Sequence, residues 1–138
     1  MRRRSNRRQV ERKLMQLARR VVRVRADSLR SEEYGILEAY RVGRGIHWPG
    51  QPVPSSAPGD PPARQTGHLM ESVRYIMHPT ELRAIIGPLE RGSTIDGPVP
   101  VPYAAGLEYG TLHVEPRPWI RPAYERWRAK WAQGGGRR

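Results

Sequence analysis

The chain reads as an α+β domain: a small antiparallel sheet packed with an N-terminal amphipathic helix and a C-terminal helix, joined by long Pro/Gly-rich loops. Three observations predict this. Near the start, Val10, Leu14, Leu17, Val21 and Val24 recur at helical spacing, with Arg on the remaining faces. Near the end, Ile120, Tyr124, Trp127 and Trp131 do the same. Between them, Arg74–His78 and Leu82–Gly87 are strand-forming runs on either side of Pro79-Thr80-Glu81, the pattern of a hairpin. A length of 138 residues suits one domain, and 14 Pro and 14 Gly leave only part of it for regular elements.

Residues 1–9 carry no apolar side chain after Met1 and too much like charge to pack, so they are expected to form a mobile basic arm. The domain proper is then 10–133. Its first stripe steps by 4, 3, 4 and 3 residues, with Ala18 and Val22 alongside, and predicts a helix to about Leu29. Such a helix lies on a sheet or on a neighbouring subunit; a basic amphipathic helix for a membrane surface or a helix-binding groove is the alternative. Residues 31–42 are two-sided: Ser31, Glu32 and Glu33 look like a helix start, whereas Gly35, Tyr40 and Val42 favour a strand at the end.

Residues 43–65 form a long loop, broken by Pro49, Pro52, Pro54 and Pro58 among others, in which Ile46 and Trp48 suggest either docking or a tethering linker. Order resumes at Thr66, a candidate N-cap, with Leu69, Met70 and Val73 on one side of a short helix. In the hairpin that follows, apolar residues do not alternate cleanly, so burial is not one-sided. Residues 87–102 are a second loop whose closing Val-Pro alternation lacks ladder donors and permits only an edge strand.

From Tyr103 to Thr111, Tyr103, Ala104, Leu107 and Glu108 sit at near-helical spacing, and the small Ala105 and Gly106 leave room for a close neighbour. Gly110 suits a left-handed position that ends the turn. Pro116, Pro118 and Pro122 then hold the chain extended until the last helix begins. That helix's aromatic stripe predicts core packing, with base stacking as the alternative. Residues 134–138 read as a flexible basic tail.

Composition removes several function classes. There is no Cys, hence no disulfide framework or thiolate metal site. His47, His68, His78 and His113 never fall at the spacing that places two ligands on one helix face, so neither metal nor other cofactor is expected. No apolar run approaches the ~20 residues of a membrane span, and the basic N-terminus lacks the apolar stretch of an export signal. Glu108, His113 and Glu115 are the nearest approach to a catalytic group, but they straddle the Gly-Thr break. Glu108 is better suited to pairing with an Arg or capping backbone N–H groups. Catalysis is not expected.

The net charge of +12 is unevenly placed. Residues 1–25 hold ten Arg and one Lys against one Glu, and residues 125–138 hold four Arg and one Lys against one Glu. The middle is slightly acidic. Arg2, Arg3, Arg4, Arg7 and Arg8 are therefore the candidate contacts to DNA or to an acidic partner.

Two segments carry a family resemblance. Tyr103, Ala104, Glu108, Tyr109, Gly110 and Thr111, followed by Pro118, Trp119, Ile120, Arg121, Pro122 and Ala123, resemble the pair of motifs near the C-terminus of tail-completion (head–tail joining, neck) proteins of long-tailed bacteriophages and phage-like particles. Upstream and in the right order, Thr66, Gly67, Leu69, Ser72 and Val73 resemble that family's Thr-Gly-x-Leu-x-x-Ser-aliphatic segment. The family more often has Phe where Tyr109 and Trp119 stand. The resemblance covers about residues 66–125, and implies a virion protein that forms a ring, expected to have six subunits. The ring would sit in the neck, made in the host cytoplasm and assembled between head connector or stopper proteins and the tail tube or tail-terminator protein. DNA would pass through its channel. The runner-up is a basic nucleic-acid-binding module using Arg-rich termini.

Overall fold

The computed structural model describes residues 2–134, with side chains from Asn6 onward. Six elements follow in order: α1 (Arg2–Ala39), α2 (His68–Ser72), β1 (Val73–Met77), β2 (Ala84–Pro88), α3 (Ala104–Tyr109) and α4 (Ile120–Ala132). The architecture is α+β, with a two-stranded antiparallel sheet, a long N-terminal helix and a C-terminal helix. Residues 135–138, most of the expected basic tail, lie outside the described residues, as does Met1.

The long helix corrects two expectations. At 38 residues it spans about 57 Å. The stretch read as a mobile arm is its first two turns: Arg and Gln are good helix formers, and Arg7 pairs with Glu11 one turn on at 2.8 Å. Nor does the chain turn into a strand after residue 31. Ser31 Oγ donates back to the Asp27 carbonyl at 2.9 Å rather than starting a new helix, and Ile36 and Leu37 are buried on the same continuous helix.

The structure also decides which face of α1 packs on the sheet and α4. The side chains that turn inward along it are Ala18, Val22, Ala26, Leu29, Glu33, Ile36 and Leu37. At 100° per residue these lie roughly 120° around the helix from the Val10–Val24 stripe. Every member of that stripe is about half exposed or more. The conspicuous stripe therefore faces away from the body. A fainter one, interrupted by the charge of Glu33, carries the fold.

The inward face of α1 meets the sheet and α4. The core is Ile36, Leu37, Met70, Val73, Val101, Ala104, Trp119 and Ala123, with Tyr34, Leu69, Leu107 and Ile120 packed around it. Helix α4 runs back along α1: Trp119 and Ala123 share the core with Ile36 and Leu37, while the Trp127 indole N–H donates to the Arg25 carbonyl at 3.1 Å. Tyr124 and Trp127 stack at 5.7 Å, and the Arg25 guanidinium lies 4.9 Å above the Trp131 ring. Ile120, Trp127 and Trp131 are thus partly covered within the fold, and Tyr124 stays about half exposed.

The hairpin pairs Val73 with Pro88 through to Met77 with Ala84. Its turn is held by His78 Nδ1, which accepts the Glu81 N–H at 2.8 Å and the Thr80 N–H at 3.2 Å. The Val-Pro segment does run at an edge. It makes one bridge, Leu89 to Pro100, flanked by Glu90 N–H to the Val99 carbonyl at 2.8 Å and Val101 N–H to the Pro88 carbonyl at 3.0 Å. Proline at alternate positions leaves no donors for more.

Candidate functional site

The first turn of α4 has N–H groups that the helix itself cannot satisfy. The intrahelical ladder starts with Ala123 N–H to the Trp119 carbonyl at 3.1 Å, so Trp119, Ile120, Arg121 and Pro122 have no helical acceptor. Pro122 has no donor. The other three N–H groups all go to one side chain: Glu108 accepts from Trp119 at 2.8 Å, Ile120 at 3.0 Å and Arg121 at 2.9 Å. A buried carboxylate at a helix N-terminus also faces the positive end of the helix dipole. Of the two roles expected for Glu108, the backbone cap is the one present. It explains why Glu in the first segment and Trp-Ile-Arg-Pro in the second belong together.

The chain between these segments is equally determined. Gly110 has φ +81° and ψ 173°, a positive-φ extended conformation essentially confined to glycine rather than the left-handed helical one expected. A Cβ there would sit 2.9 Å from Pro116 Cδ. Thr111 closes the turn, its N–H donating to the Val114 carbonyl at 2.8 Å and its Oγ1 accepting the Val114 N–H at 3.1 Å. Arg117 N–H then returns to the Leu107 carbonyl at 2.6 Å. Ala105 is exposed, and Gly106 is approached by the Thr111 methyl rather than by another backbone.

Thr66 and Gly67 open α2, with Gly67 and not Thr66 as N-cap; Thr66 Oγ1 accepts the His68 N–H at 3.3 Å. This segment and the α3 segment converge on a cavity of about 440 Å³, whose walls include Thr66, Gly67, Leu69, Tyr103, Leu107 and Arg117. The tip of the Tyr103 side chain is shifted upward in pKa by partial burial, and secondarily by the charge of Glu90. The far wall is the long 43–65 loop. Arg117 binds the carbonyl and hydroxyl of Ser56, and Gly59 N–H donates to the Pro116 carbonyl at 3.0 Å. The loop's two legs run so close that a Cβ on Gly43 or Gly45 would collide with the backbone of Ser55 and Ser56. At its tip, Gln51 N–H closes a turn on the Trp48 carbonyl at 3.2 Å and Trp48 N–H donates to Gln51 Oε1. The loop is thus an ordered, hydrogen-bonded projection that leaves Ile46 and Trp48 outside.

Exposure divides the motif residues. Ala104, Glu108 and Gly67 are buried and Trp119 is fully enclosed, whereas Tyr109 is 81 % exposed; Leu112, outside the motifs, is 98 % exposed beside it. Tyr109 therefore contributes nothing to the corner's shape. Arg121 and Thr111 are exposed, and Pro118 and Pro122 half-buried. Trp119 keeps its indole N–H unpartnered. His113 and Glu115 are exposed, whereas the Glu108 carboxylate is buried. Among the described residues no group of His, Asp and Glu is placed to hold a metal ion, and no helix is long and apolar enough to cross a membrane. Arg7 and Arg8 lie on the projecting end of α1, and Arg2, Arg3 and Arg4 are in its first turn.

Glu33 is the residue that sequence reasoning missed. It is 1 % exposed, and its Oε2 has no partner. Burial, and then the negative charge of Glu108, push its carboxyl from the ordinary 4.5 up to about 7. The available signal was its position: Ala26, Leu29, Glu33, Ile36 and Leu37 make one helical stripe if Glu33 is counted with the apolar residues.

Compared with known proteins, the chain matches no family model, no curated protein and no solved structure.

Proposed function

We propose that the chain is a structural protein of the phage neck, a ring subunit that joins the DNA-filled head connector to the tail tube and lets DNA pass. The observation that carries this reading is the contrast at the corner between α3 and α4. Three charge-assisted backbone hydrogen bonds fix its shape, yet it points Tyr109 and Leu112 almost wholly into solvent. The braced loop tip does the same with Ile46 and Trp48. Large apolar side chains held outside on rigid supports suit contacts with neighbouring subunits, because little freedom is lost when they are covered. The residues that build the corner are those of the tail-completion resemblance, in the same order.

The reading assigns the protein no catalysis and no cofactor. Its partners are further copies of itself, expected six to the ring, connector or stopper proteins above, tail-tube or terminator proteins below, and DNA in the channel without sequence readout. Its place is the virion neck. A basic nucleic-acid-binding module is the second reading, favoured by the Arg-rich faces of α1.

Negative-stain microscopy with light scattering separates the two. Rings, or monomers that form rings on adding connector or tail-terminator protein, are expected. A protein that stays monomeric, binds one nucleic-acid sequence selectively and never enters virions would overturn the neck reading.

A further inference from the structure

The apolar stripe of α1 has no cover within the chain. Val10, Leu14, Leu17, Val21 and Val24 step by four and three residues along one side of the helix. That side lies about 120° from the face that meets the sheet and α4, so a further helix can lie on it without displacing α4. From Asn6 to Leu17 every side chain is exposed. A seam this narrow is the geometry of helix-to-helix packing; a helix lying in a lipid interface needs a broader apolar face, usually with aromatic residues. None of residues 2–25 is aromatic.

The residues beside the seam identify the helix that fits it. Leu14 and Val21 hold one core position of the seven-residue repeat, and Val10, Leu17 and Val24 the other. Glu11, Ala18 and Arg25 then flank one side, and Lys13, Arg20 and Asp27 the other. A parallel second copy would set Lys13 against Ala18 and Arg20 against Arg25, and would bring both Arg-rich first turns together. An antiparallel copy centred on Arg19 fits far better. Leu14 then faces Val24 of the second copy and Leu17 faces Val21, so each central layer sets a large residue against a smaller one. At the flanks Glu11 meets Arg25 and Lys13 meets Asp27, each pair occurring twice by symmetry, and the Arg-rich turns lie at opposite ends. Arg20 meets its own copy at the centre, a like-charge contact at an exposed position.

The contacts that these residues already make leave the pairs open. Lys13 and Asp27 are exposed. The Arg25 guanidinium uses its face on Trp131, and the N–H groups at its edge are free of that contact. Glu11 takes Arg7 through Oε1, and a carboxylate has a second oxygen to offer. Ala18 is half-buried and faces only Ala18 of the second copy, where no charge is needed.

We infer that the stripe of α1 is a self-association surface, which pairs two copies of this chain through an antiparallel α1–α1 contact. The seam supplies the buried area, and the flanking charges choose the orientation. Such a two-fold contact closes on itself and cannot propagate into a ring. It is therefore additional to the ring contacts of the neck reading and does not depend on them.

Sedimentation equilibrium of the full-length protein over a dilution series tests this. Leu14→Ser with Leu17→Ser should halve the mass of the associated species. Lys13→Glu and Asp27→Lys should each weaken pairing by about 10-fold, because each turns two attractive contacts into repulsive ones, and the two together should restore it. All four residues are exposed, and circular dichroism will show that the variants are folded. The chain has no Cys, so disulfide cross-linking reads the orientation. Leu14→Cys mixed with Val24→Cys should link one variant to the other, and neither to itself. Four results would each overturn the proposal: a wild type that stays monomeric; a mass that the Leu14 and Leu17 changes leave alone; a charge exchange that fails to restore pairing; or Leu14→Cys linking to itself, the sign of parallel helices. Binding to anionic phospholipid vesicles that the seam changes abolish, without self-association, would overturn it too. Rings that form in the Leu14/Leu17 variant leave the neck reading intact, and a wild type that pairs but never forms rings overturns that reading and not this one.

Discussion

Glu33 should make this protein lose stability as the pH rises from acid to neutral. In the unfolded chain its carboxyl titrates near 4.5, and in the fold burial and the charge of Glu108 hold the proton on until about pH 7. Below pH 4.5 both states are protonated and Glu33 costs nothing. Between 4.5 and 7 the unfolded chain gives up its proton while the folded one keeps it, so folding is progressively opposed. Above 7 both are ionised and the penalty is constant, at about 3 kcal/mol. That is a sizeable part of the 5–15 kcal/mol by which domains are usually stable.

Replacement by Gln keeps the shape of the side chain and removes the titration. Gln leaves an unpartnered amide atom where Glu33 leaves Oε2, but that cost does not vary with pH. The informative quantity is therefore the stability difference between Glu33→Gln and wild type, measured by urea unfolding at pH 4.5, 6 and 8. The difference should move in favour of the variant by about 3 kcal/mol from the first pH to the last, most of it below pH 7. Other titrating groups cancel in the comparison. A difference that is flat with pH would show that Glu33 is hydrated in solution, and the account of α1's inward face would fail with it.

Three further outcomes test the corner and its exposed groups. Glu108→Ala leaves three N–H groups of the first turn of α4 without an acceptor, and should cost about 3 kcal/mol with early amide exchange at Ile120 and Arg121; a loss below about 1 kcal/mol would refute the cap. Gly110→Val forces a β-branched residue to φ +81° against Pro116, and should cost at least about 2 kcal/mol and block ring formation, so a folded variant with wild-type virion yield would contradict it. Tyr109→Ser with Leu112→Ser should leave the urea midpoint nearly unchanged, within about 0.5 kcal/mol, and abolish rings; normal rings would remove the corner from the subunit contact.

Much of the fold was legible where local chemistry and packing agree. The hairpin, the final helix and the Pro-edged strand follow from period, turn residues and missing donors, none of which depends on distant contacts. The long helix was legible in kind and mistaken in extent and orientation. Residues 2–9 lack an apolar face, but helix propensity and a helix already growing from residue 10 are enough to continue it. The Val10–Val24 stripe left open whether it meets the sheet or a neighbouring subunit, and nothing local says that a regular stripe is uncovered within the chain. Glu33 hid the real packing face by placing a charge in its middle. At the candidate site, the pairing of Glu108 with Trp119–Arg121 could be suspected from Pro122, which marks the start of a helix whose remaining donors need an acceptor. The buried state of Trp119 against the exposure of Tyr109 could not, because both are aromatic residues beside turns and only the direction of the chain separates them.

The charge of one buried carboxylate, Glu108, contributes to the state of the other, Glu33. Glu108 accepts three N–H groups at the start of α4, while Glu33 is buried with an unpartnered oxygen. Burial is the larger cause of the upward shift at Glu33 and the charge of Glu108 the smaller. Removing that charge with Glu108→Ala should therefore lower the Glu33 pKa only part of the way toward 4.5, and the loss of stability from Glu108→Ala should be smaller at pH 8, where relief of repulsion offsets it, than at pH 5. Carboxyl carbon shifts of Glu33 followed by NMR titration read this directly. A Glu33 midpoint that returns to the ordinary value in Glu108→Ala would mean that repulsion, and not burial, sets the state of the inward face of α1.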